Sequence, residues 1–84
     1  MDDDLARTVG AAIRFRRSLA DLTQDQLAER LGVDRAVVSR IESGARAVRL
    51  DGELVRLCAA LNCTLRQLLT DATPAQRAAL GVQP

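Results

Sequence analysis

The segment 34–44 carries the residue types best suited to recognising DNA bases. If it is helical, Arg35, Ala36, Ser39 and Arg40 stand at positions i, i+1, i+4 and i+5 of one outward face. In the major groove an arginine can bond guanine O6 and N7, and an alanine methyl can touch a thymine methyl. Ser39 can bond a base or a phosphate, and Asp34 could accept from cytosine N4. We predict base contacts for these five residues; the alternative is an ordinary solvent-exposed helix face.

Three further side chains are suited to contacting DNA phosphates. Gln24 lies in the first turn of a predicted helix, where free backbone amides attract anions and an amide side chain can add a hydrogen bond. Arg46 and Arg49 lie in the loop that follows the candidate reading helix. We predict that all three contact phosphates, and the alternative for each is plain exposure to solvent.

Arg17 and Glu42 are predicted to have a structural role. We expect them to form an ion pair that links helix 1 to the end of helix 3. In a partly buried pair of this kind, the loss of one partner leaves an uncompensated charge.

Two short helices around a tight turn must position these side chains. Thr23 and Gln26 form a capping box that opens helix 2, and Gly32 ends it after Leu31. Asp34 is the expected cap of helix 3, which runs through Ser43 and stops at Gly44. The inward-facing residues predicted for this unit are Leu27, Ala28, Leu31, Val38 and Ile41.

The remaining helices follow from apolar spacing and from the same end signals. Helix 1 is predicted over about Leu5–Leu19, with Leu5, Val9 and Ile13 inward and an acidic lead-in before it. Helix 4 is expected to start at a cap on Asp51, to bury a stripe through Leu57 and to end at Asn62. Before helix 4 we predict a loop over 45–50 anchored by Val48 and Leu50, and the apolar stripe of helix 4 is completed by Leu54, Cys58 and Leu61. Thr64 and Gln67 are predicted to form a capping box that opens helix 5, with Leu65, Leu68 and Leu69 inward. A last short helix is predicted over 74–80.

Composition narrows the class of protein. The 84 residues suffice for one small domain, and 48% of them are hydrophobic while only Phe15 is aromatic, so aliphatic side chains must fill the core. Strand-like alternation is absent, which predicts an all-α fold. The net charge of +1 is modest for a nucleic-acid binder, but Asp2, Asp3 and Asp4 concentrate negative charge at one end.

Composition also argues against several functions. Cys58 and Cys63 are interpreted as small core hydrophobes, because their spacing does not match a metal site and the chain has no His. No metal or other cofactor is expected. An enzyme is disfavoured, since the chain offers no His, Tyr or Lys and no glycine-rich phosphate loop. The few cysteines, the lack of a signal-like start and the lack of a long apolar run predict a cytoplasmic protein without a membrane span.

The spacing of these residues resembles the lambda repressor/Cro-like helix-turn-helix family, also called the Xre family. The matching positions over about residues 9–69 are Arg17, Thr23-Gln24, Leu27-Ala28, Gly32-Val33, Val38-Ser39, Ile41-Glu42, Gly44 and the closing Leu61-Asn62-Cys63-Thr64-Leu65 with Leu68-Leu69. The sequence departs from the family pattern at Asn62, where Gly is usual, and the stretch from Glu42 to Leu61 is one residue longer around Gly52.

The resemblance implies a five-helix fold, a helix 3 that reads DNA, a Gln24 that holds a phosphate and an Arg17–Glu42 pair. It divides the chain into an acidic lead-in with the start of helix 1 (1–8), a DNA-binding domain (9–69) and a C-terminal extension (70–84). Family members commonly bind palindromic operators as homodimers, so double-stranded DNA and a second copy of the chain are the expected partners. Small stand-alone members include controller proteins and antitoxins, so a toxin or other protein partner is the alternative.

Overall fold

Five α-helices make up the part of the chain that the computed structural model describes, which is residues 2–49 and 52–70, with the side chains of 2–4, 69 and 70 left undescribed. The helices are α1 (Asp2–Leu19), α2 (Gln24–Leu31), α3 (Arg35–Ser43), α4 (Gly52–Ala60) and α5 (Leu65–Thr70). The all-α, five-helix fold class is confirmed. The predicted loop anchor Leu50, the predicted cap Asp51 and the predicted helix over 74–80 lie outside the described residues.

One aliphatic core joins all five helices. Each helix contributes at least one fully buried side chain: Ile13 from α1, Leu27 from α2, Val38 and Ile41 from α3, Leu57 from α4 and Leu68 from α5. The helix pairs α1–α3 and α2–α3 pack closely, and α1 also packs on α5. Helix α3 therefore has one face held by two other helices, which leaves the opposite face for a ligand.

Helix α1 differs from the sequence prediction at its start. It begins at Asp2 rather than at about Leu5, so the acidic residues form its first turn instead of a lead-in. Leu5 was predicted to face inward but is exposed, because the core contacts of α1 begin one turn later, at Val9, Ala12 and Ile13.

The helix-turn-helix unit has the predicted ends. The Thr23 hydroxyl accepts from the Gln26 N–H at 3.1 Å, and Gln26 Oε1 accepts from the Thr23 N–H at 2.8 Å, which confirms the capping box. Gly32 follows α2 in the left-handed conformation. Asp34 occupies the N-cap position of α3, but its side chain makes no capping hydrogen bond. Its carboxylate is therefore exposed beside the start of α3 and is not used by the helix itself.

Two glycines allow α1 to approach α3 closely. A Cβ on Gly10 would overlap the carbonyl oxygen of Ile41 and lie 2.8 Å from that of Glu42. Gly44 ends α3 with φ of +82°, and a Cβ there would lie 2.6 Å from the Cα of Arg7. No larger residue fits either contact without moving backbone, so these glycines set the distance between the two helices.

The turn between α4 and α5 also has the predicted signals. Asn62 is left-handed with φ of +52°, and Thr64 and Gln67 exchange hydrogen bonds of 3.0 and 2.8 Å as a capping box. Leu68 is buried as predicted, but Leu65 is 45% exposed. Leu65 is the first residue of α5, where the helix has not yet turned its side chains toward the core.

Candidate nucleic-acid interface

The outer face of α3 carries the residues predicted to contact bases. Arg35, Ala36, Ser39 and Arg40 are all exposed, and Asp34 is exposed at the N-cap. On the opposite face Val38 and Ile41 are buried in the core, and Glu42 is buried as well. The helix is amphipathic as the sequence pattern requires, and its polar face is unobstructed among the described residues.

A bidentate ion pair joins α1 to the end of α3. Arg17 Nε donates to Glu42 Oε2 at 2.6 Å, and its Nη2 donates to Glu42 Oε1 at 3.1 Å. The remaining Nη1 donates to the Leu22 carbonyl oxygen at 2.8 Å. The side chains are only 14% and 3% exposed, so the charges are largely removed from water and depend on each other.

Gln24 connects this pair to the exposed face of α3. Its Nε2 donates to Glu42 Oε1 at 3.0 Å, and its Oε1 accepts from Arg35 Nε at 3.3 Å. The exposed carboxylate of Asp25 lies 4.0 Å from the same Arg35 nitrogen. A continuous chain of hydrogen bonds therefore runs from the buried Arg17 to the exposed Arg35. The sequence did not predict this link, because it joins residues from three helices.

An open groove of about 660 Å³ lies between the end of α1, the start of α2 and the middle of α3. It is lined by Arg14, Arg17, Thr23, Gln24, Asp25, Arg35, Ser39, Glu42 and Ser43. The groove brings together three of the residues predicted to contact DNA: Gln24, Arg35 and Ser39. Asp34, Ala36 and Arg40 lie outside it on or beside the exposed face of α3.

Arg14 is a groove residue that the sequence prediction did not include. It is exposed and makes no ion pair or hydrogen bond with a described residue, whereas Arg17 and Arg35 both donate to groove neighbours. Its signal in the sequence is its position three residues before Arg17, which puts both on one side of α1. Arg14 therefore adds a positive charge to the groove, with no partner among residues 2–49 and 52–70.

Arg46 and Arg49 lie away from the groove, in the segment between α3 and α4. Arg46 donates from Nη1 and Nη2 to the two carboxylate oxygens of Glu53, at 2.9 and 2.8 Å. The Arg49 N–H donates to Glu53 Oε1 at 2.9 Å. Glu53, which is 8% exposed in the first turn of α4, thus holds two of the three predicted phosphate-contacting residues, Arg46 and Arg49. Sequence reasoning did not identify Glu53.

These contacts change the acidity of Glu53. The hydrogen bonds from the Arg46 guanidinium lower the pKa of the Glu53 carboxyl below its ordinary value, and the Arg49 N–H and both arginine charges act in the same direction. Desolvation opposes them and is outweighed. The carboxylate is therefore charged near neutral pH, which keeps the segment 46–49 attached to α4.

The described residues contain neither a metal cluster nor a membrane span. Within residues 2–49 and 52–70 no group of three or more His, Cys, Asp or Glu side chains could hold a metal ion. None of the described helices has the length and apolar character needed to cross a membrane.

A family model described as helix-turn-helix matches residues 13–68, which is more than half of the 84 residues. The chain therefore belongs to the Xre/lambda repressor-like helix-turn-helix family, whose members are DNA-binding transcription regulators. The predicted family is confirmed. No curated protein matches the chain at a significant level.

Proposed function

We propose that this protein is a sequence-specific transcriptional regulator that binds a DNA operator as a homodimer and inserts α3 into the major groove. The observation that carries the proposal is the hydrogen-bonded chain from Arg17 through Glu42 and Gln24 to Arg35. A long side chain that reads a base must be held in one orientation before the ligand arrives, since ordering it on binding costs affinity. Gln24 orients Arg35 in this way at the exposed edge of α3.

The base-contacting set in this proposal is Asp34, Arg35, Ala36, Ser39 and Arg40. Arg35 and Arg40 are the residues suited to guanine, through bidentate bonds to O6 and N7. The carboxylate of Asp34 is suited to accept from cytosine N4, and its negative charge disfavours a phosphate contact. Since the Asp34 carboxylate makes no capping bond, it is available for this contact.

The phosphate-contacting set is Gln24, Arg46 and Arg49. Gln24 uses one Nε2 hydrogen on Glu42, so the second hydrogen is the one it offers to a phosphate. Arg46 uses two of its nitrogens on Glu53, and the pairing fixes where its remaining N–H groups point. We propose that Glu53 holds the 46–49 segment in position against the DNA backbone.

In this proposal the protein acts on DNA in the cytoplasm and has no enzymatic activity of its own. A homodimer would place two copies of α3 in successive major grooves about 34 Å apart and would require a two-fold-symmetric operator. We propose that two parts of the chain form the dimer. One is helix α5, and the other is the segment 70–84, which contains the apolar residues Ala75, Ala78, Ala79 and Leu80.

The test is selection of random DNA duplexes at about 150 mM salt, followed by titration of the enriched site. We expect a symmetric site with half-sites one helical turn apart. Arg35→Ala and Arg40→Ala should each cost about 1–3 kcal/mol at that site and relax the preferred base. Arg30→Ala is the matched control, because it also removes one arginine charge but does so away from α3. Arg30 lies in the last turn of α2, where it donates to the Ala60 carbonyl oxygen.

Two results would contradict the proposal. If affinity for the enriched site is unchanged by both α3 substitutions, α3 is not the reading helix. If no duplex is enriched and binding depends on salt alone, the chain needs a second protein to act on an operator, as expected of an antitoxin that represses its own operon. Co-purification with the product of a co-transcribed gene would then identify that partner.

A further inference from the structure

The turn between α4 and α5 holds the two cysteines next to each other. Asn62 is the left-handed residue, its N–H donates to the Ala59 carbonyl oxygen at 3.2 Å, and the Cys63 N–H donates to the Cys58 carbonyl oxygen at 3.0 Å. These two bonds define a Schellman motif. A side-chain contact between the residue after the left-handed one and the residue five positions before it frequently accompanies this motif. In this chain those two positions are occupied by Cys63 and Cys58.

Both thiols are within reach of small molecules. Cys58 and Cys63 are half-buried, neither is in a disulfide, and both line one shallow surface cavity of about 230 Å³. The cavity shares no lining residue with the groove between α1, α2 and α3. The chain has no third cysteine, so any disulfide within one chain must join these two.

We propose that Cys58 and Cys63 form a dithiol modification site that a small-molecule disulfide, such as oxidised glutathione, converts reversibly to an intramolecular disulfide. The inference does not depend on DNA binding. One cysteine thiolate attacks the small disulfide, forming a mixed disulfide and releasing one glutathione thiolate. The second cysteine attacks the protein sulfur of that mixed disulfide, which forms the Cys58–Cys63 bond and releases the second thiolate. The protein loses two electrons and two protons, and the small disulfide gains them as two thiols.

The cap geometry favours ring closure over the alternatives. A disulfide needs Cα atoms about 4.4–6.8 Å apart. The 3.0 Å hydrogen bond from the Cys63 N–H to the Cys58 carbonyl oxygen brings the two backbones close together, so we expect the disulfide to form while α4 and its cap stay intact. The resolving thiol is supplied by the same turn, which gives it a high effective concentration over a second glutathione or a second chain. Oxidation would then lock the turn that directs α5 onto α1.

The experiment equilibrates the whole chain in glutathione redox buffers, blocks remaining thiols by alkylation and digests with trypsin. Cleavage after Arg56 and Arg66 releases both cysteines in one peptide, 57–66. We expect that peptide to lose about 2 Da and to take up no alkylating label, while the protein stays free of cross-chain links on a non-reducing gel. Cys58→Ser and Cys63→Ser are the matched controls, and each should retain one glutathione as a mixed disulfide because it lacks the resolving thiol.

A comparison with the unfolded chain separates the effect of the fold from mere closeness in sequence. To form the same disulfide, the denatured chain should need a ratio of oxidised to reduced glutathione at least about tenfold higher than the folded chain needs. An equal ratio for the folded and denatured chains would overturn the proposal. It would also be overturned if the folded wild type kept both thiols alkylated, accumulated mixed disulfides, or formed linked dimers instead.

Discussion

Two bidentate arginine–carboxylate pairs hold different parts of this molecule. Arg17–Glu42 joins residues 25 positions apart and links α1 to the end of α3, with side chains 14% and 3% exposed. Arg46–Glu53 joins residues seven positions apart and links a short loop to α4, with side chains 26% and 11% exposed. The first pair fixes how two helices pack, whereas the second fixes the path of a loop.

The two pairs also differ in the further hydrogen bonds that their carboxylates accept. Glu42 accepts from Gln24, which in turn accepts from Arg35 on the exposed face of α3. Glu53 accepts from the Arg46 guanidinium and from the backbone N–H of Arg49, and both donors lie in the segment between α3 and α4. Glu42 thus serves the packing of two helices and also holds Gln24 against Arg35, whereas Glu53 holds the segment 46–49 against α4.

The largest expected effect is on the pair that joins two helices. Glu42→Ala should lower the free energy of unfolding by about 3–5 kcal/mol, because it leaves the Arg17 guanidinium buried without its counter-charge. Urea denaturation followed by circular dichroism measures this directly. A loss below about 1 kcal/mol would mean that the buried charge finds another partner, and the comparison between the two pairs would fail.

A smaller loss is expected for the same substitution in the loop pair. Glu53→Ala should lower the free energy of unfolding by about 2 kcal/mol, since Arg46 is more exposed and can be solvated by water when its partner is removed. The matched Glu42→Ala variant is the reference for this measurement. Equal losses for the two variants would show that sequence separation and exposure do not distinguish the pairs.

The pH dependence of stability should reveal the contribution of Glu53. Its folded pKa lies below the ordinary value of 4.5, so the wild type binds fewer protons at this residue than the unfolded chain in acid. Its stabilising contribution is therefore complete above about pH 4.5 and is lost as the pH falls through the folded pKa. We expect the stability difference between wild type and Glu53→Gln to narrow on acidification. A difference that stays constant or widens would contradict the direction of the shift.

The smallest effect on stability is expected for Gln24, the residue that connects the first pair to the exposed face of α3. Gln24→Ala should cost under about 1 kcal/mol of unfolding free energy, because Arg17 still neutralises Glu42. The same variant should weaken discrimination at the base that Arg35 contacts, because Arg35 loses its acceptor. Repeating the duplex selection with this variant measures the effect. An unchanged base preference would mean that Arg35 is oriented by the DNA alone.

The helix ends show which structural features can be predicted from the local sequence. The capping boxes of Thr23 with Gln26 and of Thr64 with Gln67 are both present in the structure, since each depends on residues within one turn of the chain. Helix α1 was wrongly expected to begin at about Leu5, and Leu65 was wrongly expected to face the core. Both errors concern the first turns of helices, where burial depends on which neighbours the fold supplies.

What the sequence determined by itself is the presence of the five described helices, the ends of α2 and α3 and the amphipathic face of α3, because these follow from spacing and capping within one segment. The tertiary structure alone decided three features. These are the approach of Gly10 to the backbone of α3, the Gln24 link between Glu42 and Arg35, and the binding of Arg46 and Arg49 by Glu53. Each requires atoms from separate segments to meet within about 3 Å, and hydrogen-bond geometry of that kind is set by how the helices pack and by how the loop between them folds back.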